Sequence, residues 1–178
     1  MIQLRGAIYY LEKLLNKNQI KDIYAYVYPY IKYGIELYGS CCKNMMNRLQ
    51  RQQNMILKML YKKDRLYRTN DLYKELELLK CHDMHKFFIG IFVYKQQNHM
   101  LPSIFDNYYK QKSMACSSRD TRQSNPLYEP FCRTNGGQCS LKYTGAKLWN
   151  QIAVDVKSCT NLYSFKSMLR LFLLKNYT

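Results

Sequence analysis

Between Leu37 and Lys63 the chain carries Lys43, Arg48, Arg51, Lys58, Lys62 and Lys63, six cations, and no acidic residue. Side chains of this kind neutralise phosphates and release condensed counterions, which gives affinity without sequence selectivity. Helix surfaces ordinarily mix signs to gain i,i+4 pairs. This stretch forgoes that gain and accepts like-charge repulsion, so a polyanion is its simplest complement. The plainer alternative is a solvated face on a generally basic protein. Lys110, Lys112, Arg119 and Arg122 sit further along among Ser, Gln and Asn, and Lys142 and Lys147 lie near the end. Tyr61, Tyr67, Tyr109 and Tyr143 stand beside basic residues, where a ring can stack on an unpaired base or simply pack in the core.

Other chemistries find less to work with. Two-metal phosphoryl transfer needs paired carboxylates. The aspartates Asp22, Asp64, Asp71, Asp83, Asp106, Asp120 and Asp155 are scattered, with no adjacent acidic pair. Cys81, His82 and His85 form a cluster that could reach zinc only with a ligand from elsewhere, such as His99 or Cys116. Cys132 and Cys139 flank a Gly-Gly turn without a CxxC spacing. Nothing marks a third group to orient a Cys-His nucleophile. No glycine-rich phosphate loop with a following Lys-Ser/Thr is present. The chain is therefore expected to be no enzyme and to hold no metal or other cofactor.

The balance of charge points the same way. The 178 residues carry 28 Lys and Arg against 12 Asp and Glu, a formal charge of +16. That predicts an anionic partner, nucleic acid or an acidic membrane surface, and specifies no fold. The longest apolar run, Phe87 to Val93, is far short of the ~20 residues a bilayer requires, so no membrane span is expected. Of the two partners, the expectation is nucleic acid and no membrane. Seven cysteines without a regular framework, in a chain lacking a leader-like segment, are expected to be reduced and intracellular.

Helices must position the cations. Met1 to Leu15 and a long second element over Ile23 to Gly39 read as a helical hairpin joined at Asn16-Lys17-Asn18. In the second element, alternating Tyr24, Tyr26, Tyr28 and Tyr30 suggest a strand. Ile20, Ile23, Val27, Ile31, Gly34, Ile35 and Tyr38 suggest a helix, and that stripe is the longer one. Pro29 predicts a kink, with Gly34 admitting a close neighbour and Gly39 ending the element. Lys43 to Tyr61 forms the third helix, with Met46, Leu49, Gln53, Ile56 and Leu60 as a narrow seam. Asn70 is placed to cap a helix reaching Lys80. Another follows over Met84 to Gln97, with Met84, Phe87, Phe88, Ile91 and Phe92 as its apolar face. Periodicity fades from Ser103 to Gln138. Ser140 to Tyr143 alternates like a short strand, then a helix carries Leu148, Trp149 and Ile152. Thr160 is placed to cap the last helix. The expectation is a mainly α protein, a bundle of about five helices plus a small C-terminal piece with a short strand and two helices. Its divisions are a helical domain over 1–100, a basic linker over 101–138 and a module over 139–178.

Several of these residues also carry a family likeness. Tyr24, Pro29, Tyr33-Gly34 and Tyr38-Gly39 come first. Thr121-Arg122, Arg133-Thr134-Asn135-Gly136, Ser140-Leu141-Lys142-Tyr143, Gly145-Ala146-Lys147-Leu148-Trp149-Asn150 and Phe165-Lys166 come after them in order. Together they resemble the C-terminal region, the thumb and post-polymerase portion, of non-LTR, jockey-like retrotransposon reverse transcriptases. The likeness runs from about Ile20 to the C-terminus, and the Trp149-Asn150 block is its most specific part. The family usually has Trp where Tyr38 stands, Pro at Ala146 and Leu-Pro at Ile152-Ala153. A proline presets a first helical turn, so its absence leaves the helix starts less firmly fixed.

The resemblance implies a non-catalytic piece of an RNA-directed DNA polymerase whose catalytic Asp-Asp palm lies upstream of Met1. It implies RNA or DNA template-primer duplex as partner, the upstream palm as a second one, and a place in nucleus and cytoplasm. The residues expected to grip the backbone are Lys43, Arg48, Arg51, Lys58, Lys62 and Lys63, then Arg119, Arg122, Lys142 and Lys147. Two other readings stay open. One is a helical protein-protein interaction module docking through the Gln53 seam or the Phe87/Phe88/Phe92 face. The other is a non-functional remnant of a mobile element.

Overall fold

A computed structural model describes residue 25 and residues 27–40, 43–112 and 127–177. The expected helix over Met1 to Leu15, the stripe members Ile20 and Ile23, and Arg119 and Arg122 lie outside the described residues. Over the described residues the chain is mainly helical. Among the described residues, Gln111 and Leu127 form an isolated antiparallel β-bridge.

Helical residues 27–32 lead through a turn into α1 (Ile35–Tyr38), and Val27, Ile31 and Ile35 are buried as their spacing predicts. The helical run is interrupted at Gly34, and Pro29 lies within helical residues 27–32. Gly34 takes φ 67°, in the left-handed region that favours glycine. Among the described residues nothing lies within 4 Å of where a Cβ would stand, and Gly34 supplies the turn. The Pro29 carbonyl accepts from the Tyr33 N–H at 2.8 Å, and the Tyr38 hydroxyl donates back across the break to the Ile31 carbonyl.

The cation-bearing helix is α2 (Lys43–Leu60), which buries Met46, Gln53, Ile56, Leu57 and Leu60. Its end is set by backbone geometry. The Lys63 N–H bonds the Lys58 carbonyl (2.9 Å) and the Lys62 N–H bonds the Met59 carbonyl (3.2 Å), with Lys62 at φ 48°. That is a Schellman motif with lysine where glycine is usual. The next two helices stop in the same way. After α3 (Thr69–Glu75), Glu77 takes φ 51°, with Glu77 N–H to Lys74 O and Leu78 N–H to Tyr73 O. After α4 (Cys81–Gln97), His99 takes φ 53°, with His99 N–H to Gln96 O and Met100 N–H to Lys95 O. Helix α3 thus ends short of the expected Lys80. It also begins before Asn70, with Arg68 at the cap position and no side-chain cap bond.

Helix α4 begins at Cys81, a turn earlier than the expected Met84, because distant residues satisfy its first amides. The Cys81 N–H donates to Gln50 Oε1 (2.8 Å) and Gln53 Oε1 (3.1 Å), and the Lys80 N–H donates to the Tyr177 hydroxyl (2.9 Å). A helix start leaves orphan N–H groups that need such partners. Sequence spacing could not announce caps supplied from another helix and from the chain's end.

The chain divides into two compact units, and the division falls inside α4, after Met84. The first holds the described residues up to Met84 together with Leu174 to Tyr177. The second is His85–Leu173, so the described parts of the expected 101–138 linker belong to it. Within the second unit come α5 (Asn135–Gln138), α6 (Leu141–Gln151), α7 (Val154–Lys157) and α8 (Leu162–Leu174).

The expected strand over Ser140 to Tyr143 is instead a cap and a first turn. Ser140 Oγ accepts from the Tyr143 N–H at 3.3 Å, and the Thr144 hydroxyl donates to the Ser140 carbonyl at 2.9 Å. Ser140 therefore fixes the start of α6, and Ala146 lies well inside it, where a proline would break the helix rather than begin it. For α8 the capping side chain is Asn161, whose Oδ1 accepts from the Tyr163 N–H at 3.0 Å, and not Thr160.

The second unit packs around Tyr94, Trp149 and Phe165. Tyr94 stacks on Phe165 with centroids 4.1 Å apart, and its hydroxyl donates to the Cys159 carbonyl at 2.7 Å. Gly90 allows α8 close to α4, since a Cβ there would stand 2.7 Å from Leu169. Of the expected α4 face, Met84 and Ile91 are buried, while Phe87, Phe88 and Phe92 are half-buried. Ile89, Val93 and Tyr94 are buried too, so the core surrounds most of the helix. Asn150 clasps an extended segment in both directions: its Nδ2 donates to the Leu127 carbonyl (3.0 Å) and its Oδ1 accepts from the Leu127 N–H (2.9 Å).

Candidate nucleic-acid interface

Burying the apolar seam of α2 turns its other side outward. Gln53 locks that orientation. It is fully buried, it donates from Nε2 to the Leu79 carbonyl (2.9 Å), and its Oε1 accepts from the Cys81 N–H. A buried amide is tolerated only when paired in this way. Rotating α2 would strand those groups, so the rotation is penalised twice, by polar and by apolar burial.

The outward side forms a groove of about 570 Å³. Arg51, Lys58, Lys62, Lys63 and Arg65 line it as cations, with Asn54, Met55 and Met59 between them. Among the described residues, no acidic one lines it. The Schellman turn curls Lys62 and Lys63 back toward the helix, and Lys58 Nζ donates to the Arg65 carbonyl at 2.5 Å. The nearest acid in the chain, Asp64, uses a carboxylate oxygen to accept from the Arg65 N–H at 2.6 Å. Among the described residues, none of Lys43, Arg48, Arg51, Lys58, Lys62, Lys63 and Arg65 makes an ion pair. Five cations around one groove repel one another, and an anion entering it relieves that repulsion.

Four of the cations expected from sequence therefore converge: Arg51, Lys58, Lys62 and Lys63. Lys43 and Arg48 are exposed on earlier turns of α2 and do not line the groove. No acid balances Lys43 in the first turn, where the helix dipole favours negative charge. Arg65 was not expected. Its signal was available, since it is two residues beyond Lys63, but its place depends on a left-handed lysine that no spacing rule anticipates. Lys142 and Lys147 are exposed on α6, in the second unit, each near a tyrosine ring: Lys142 at 5.9 Å from the centroid of Tyr108, Lys147 at 5.7 Å from that of Tyr143.

The tyrosines divide. Lys63 Nζ stands 4.8 Å over the Tyr67 ring, so this ring is preoccupied by a groove cation. Tyr61 is half-buried, and burial followed by the nearby Glu75 raises its phenol above the ordinary range. Tyr109 is buried and donates to the Leu141 carbonyl at 2.8 Å, passing beneath Gly145, where a Cβ would stand 2.0 Å from its oxygen. It belongs to the core and not to a stacking platform.

Of the cysteine-histidine cluster, Cys81, His82, His85 and His99 are among the described residues, and Cys116 lies outside them. Cys81 is fully buried and its Sγ donates to Gln53 Oε1 at 3.2 Å, with burial pushing its thiol up to about 12. His82 Nε2 pairs with Asn47 Oδ1 at 3.1 Å. Among the described residues no group of three or more His, Cys, Asp or Glu could hold a metal ion, and no helix is long and apolar enough to cross a membrane. The two faces expected for a docking partner are used internally in part. Gln53 is sealed in the first unit, and Phe92 meets Phe105, Tyr108 and Tyr109 edge to face at 5.4, 6.0 and 6.4 Å.

Comparison of the chain with protein-family models, with curated proteins and with solved structures finds no match.

Proposed function

We propose that this chain grips nucleic acid by its sugar-phosphate backbone. The seat is the groove on α2 and the turn after it. One observation carries the proposal: five cations line a single groove with no carboxylate partner among the described residues. Phosphates fit that groove by charge alone, and the arrangement reads no base sequence. The family likeness supplies the setting, a non-catalytic thumb and post-polymerase portion of a non-LTR retrotransposon reverse transcriptase holding its template-primer, with the polymerase palm as neighbour. The test is charge reversal on the full chain. Arg51→Glu, Lys58→Glu and Lys62→Glu together abolish binding to RNA and DNA and leave the circular dichroism helical. Unchanged affinity removes this face from the account.

A further inference from the structure

The lining of the groove is not all cationic. Met55 and Met59 lie between the cations, and Met55 is 39% exposed. Phosphates have no use for an apolar thioether surface. Flat, polarizable rings do, because methionine sulfur makes favourable contacts with aromatic faces. Beside the two methionines stands Asn54, and its orientation is fixed. Its Oδ1 accepts from Gln50 Nε2 (2.9 Å) and from the Tyr73 hydroxyl (2.8 Å). With the oxygen committed inward, the amide NH₂ is the end left for the groove. A pair of donors held in place suits the carbonyl or ring-nitrogen acceptors on a base edge.

These features separate two states of the ligand. In a duplex, paired bases are stacked inside, and only phosphates and sugars could meet this surface. In an unpaired strand, a base can turn from the backbone, lie on Met55 and Met59, and present an acceptor to Asn54 while the cations hold its phosphates. The groove volume, about 570 Å³, falls within the ~300–1,000 Å³ typical of sites that enclose a small molecule. We infer that the groove seats an unpaired nucleotide of a single-stranded segment, with its base against Met55 and Met59. The inference rests on the proposed backbone grip and adds to it a preference for strands that carry free bases.

An abasic oligomer tests this, since it keeps every phosphate and lacks every base. Full-length protein is titrated with oligothymidylate and with an abasic oligomer of equal length at one salt concentration. Oligothymidylate binds more tightly by about threefold or more, on the scale of methionine-ring contacts. Met55→Ala with Met59→Ala brings the ratio of the two affinities toward one. Asn54→Asp, which keeps the oxygen that Tyr73 and Gln50 need and loses the donors, lowers the same ratio. Its added charge weakens both oligomers alike, so the ratio isolates the base. Equal affinities for the two oligomers in the unaltered protein overturn the inference and leave the backbone grip standing. A ratio that both variants leave unchanged also overturns it. Failure of either oligomer to bind in dilute buffer overturns the proposed function itself.

Discussion

Lys58 Nζ donates to the main-chain carbonyl of Arg65 at 2.5 Å, bridging the turn that carries Lys62 and Lys63. One side chain thus has two duties: it adds charge to the groove and it holds the groove's far wall. The two duties separate by substitution. Lys58→Met lowers the salt slope of nucleic-acid binding by about 0.7–0.9, one phosphate contact. It also destabilises the fold by about 1 kcal/mol, the worth of one hydrogen bond. Arg51→Met lowers the slope similarly and leaves the denaturation midpoint near that of the unaltered protein, since Arg51 is exposed on the same groove. Chemical denaturation and binding titrations on the two variants check this together.

Lys62 holds a left-handed conformation, φ 48°, at a place where glycine is usual. A side chain there costs about 1–2 kcal/mol relative to glycine. Glu77 and His99 end their helices in the same way away from the groove, so strain alone does not mark the site. It does make stability and binding move in opposite directions. Lys62→Gly raises the unfolding free energy by about 0.5–1 kcal/mol, less than the strain because glycine frees the unfolded chain. The same variant weakens binding to nucleic acid. Glu77→Gly gains similar stability with no loss of binding.

Gln53 ties α2 to the start of α4, so its loss strands buried groups. Gln53→Leu leaves the Leu79 carbonyl without this donor and Cys81 Sγ without this acceptor. Each orphaned group costs about 1–3 kcal/mol, and Gln50 still serves the Cys81 N–H. The expected destabilisation is about 2–6 kcal/mol, read from urea denaturation. Gln53→Glu should be worse near neutral pH, since it buries a charge beside a carbonyl.

Cys81 predicts alkaline sensitivity. Its thiol is raised from the ordinary 9.0 to about 12 by burial. The folded chain therefore favours the protonated thiol, and that contribution is complete below pH 9 and declines as pH rises from 9 toward 12. Tyr109 and Tyr177, raised chiefly by burial, act in the same direction at higher pH. The melting temperature falls across this window, and Cys81→Ala flattens the first part of the fall. An alkaline limb of equal slope in both proteins contradicts the assignment.

Much of the helical layout was legible in periodicity. Val27, Ile31 and Ile35 pack as their spacing implies, and α2 matches its stripe closely, with Gln53 sealed at the centre. The features that escaped were set at a distance. The start of α4 depends on Gln50, Gln53 and Tyr177, and Tyr177 is far away in the chain. Three helix ends use Lys62, Glu77 and His99 in a conformation that glycine would have advertised. The four-residue alternation at Ser140 to Tyr143 was too short to outweigh a capping serine. The cations of the groove were visible as a charge bias, yet their convergence with Arg65 came from the turn and not from the count.

The most direct test is the salt dependence of binding. The full chain is titrated with labelled single-stranded and duplex oligomers across a series of salt concentrations, beside the Arg51→Glu, Lys58→Glu, Lys62→Glu variant. If about five phosphates are contacted, log K falls with log salt at a slope near −4, and the variant shows no measurable binding. A flat salt response, or a variant that binds as the unaltered protein does, contradicts the account.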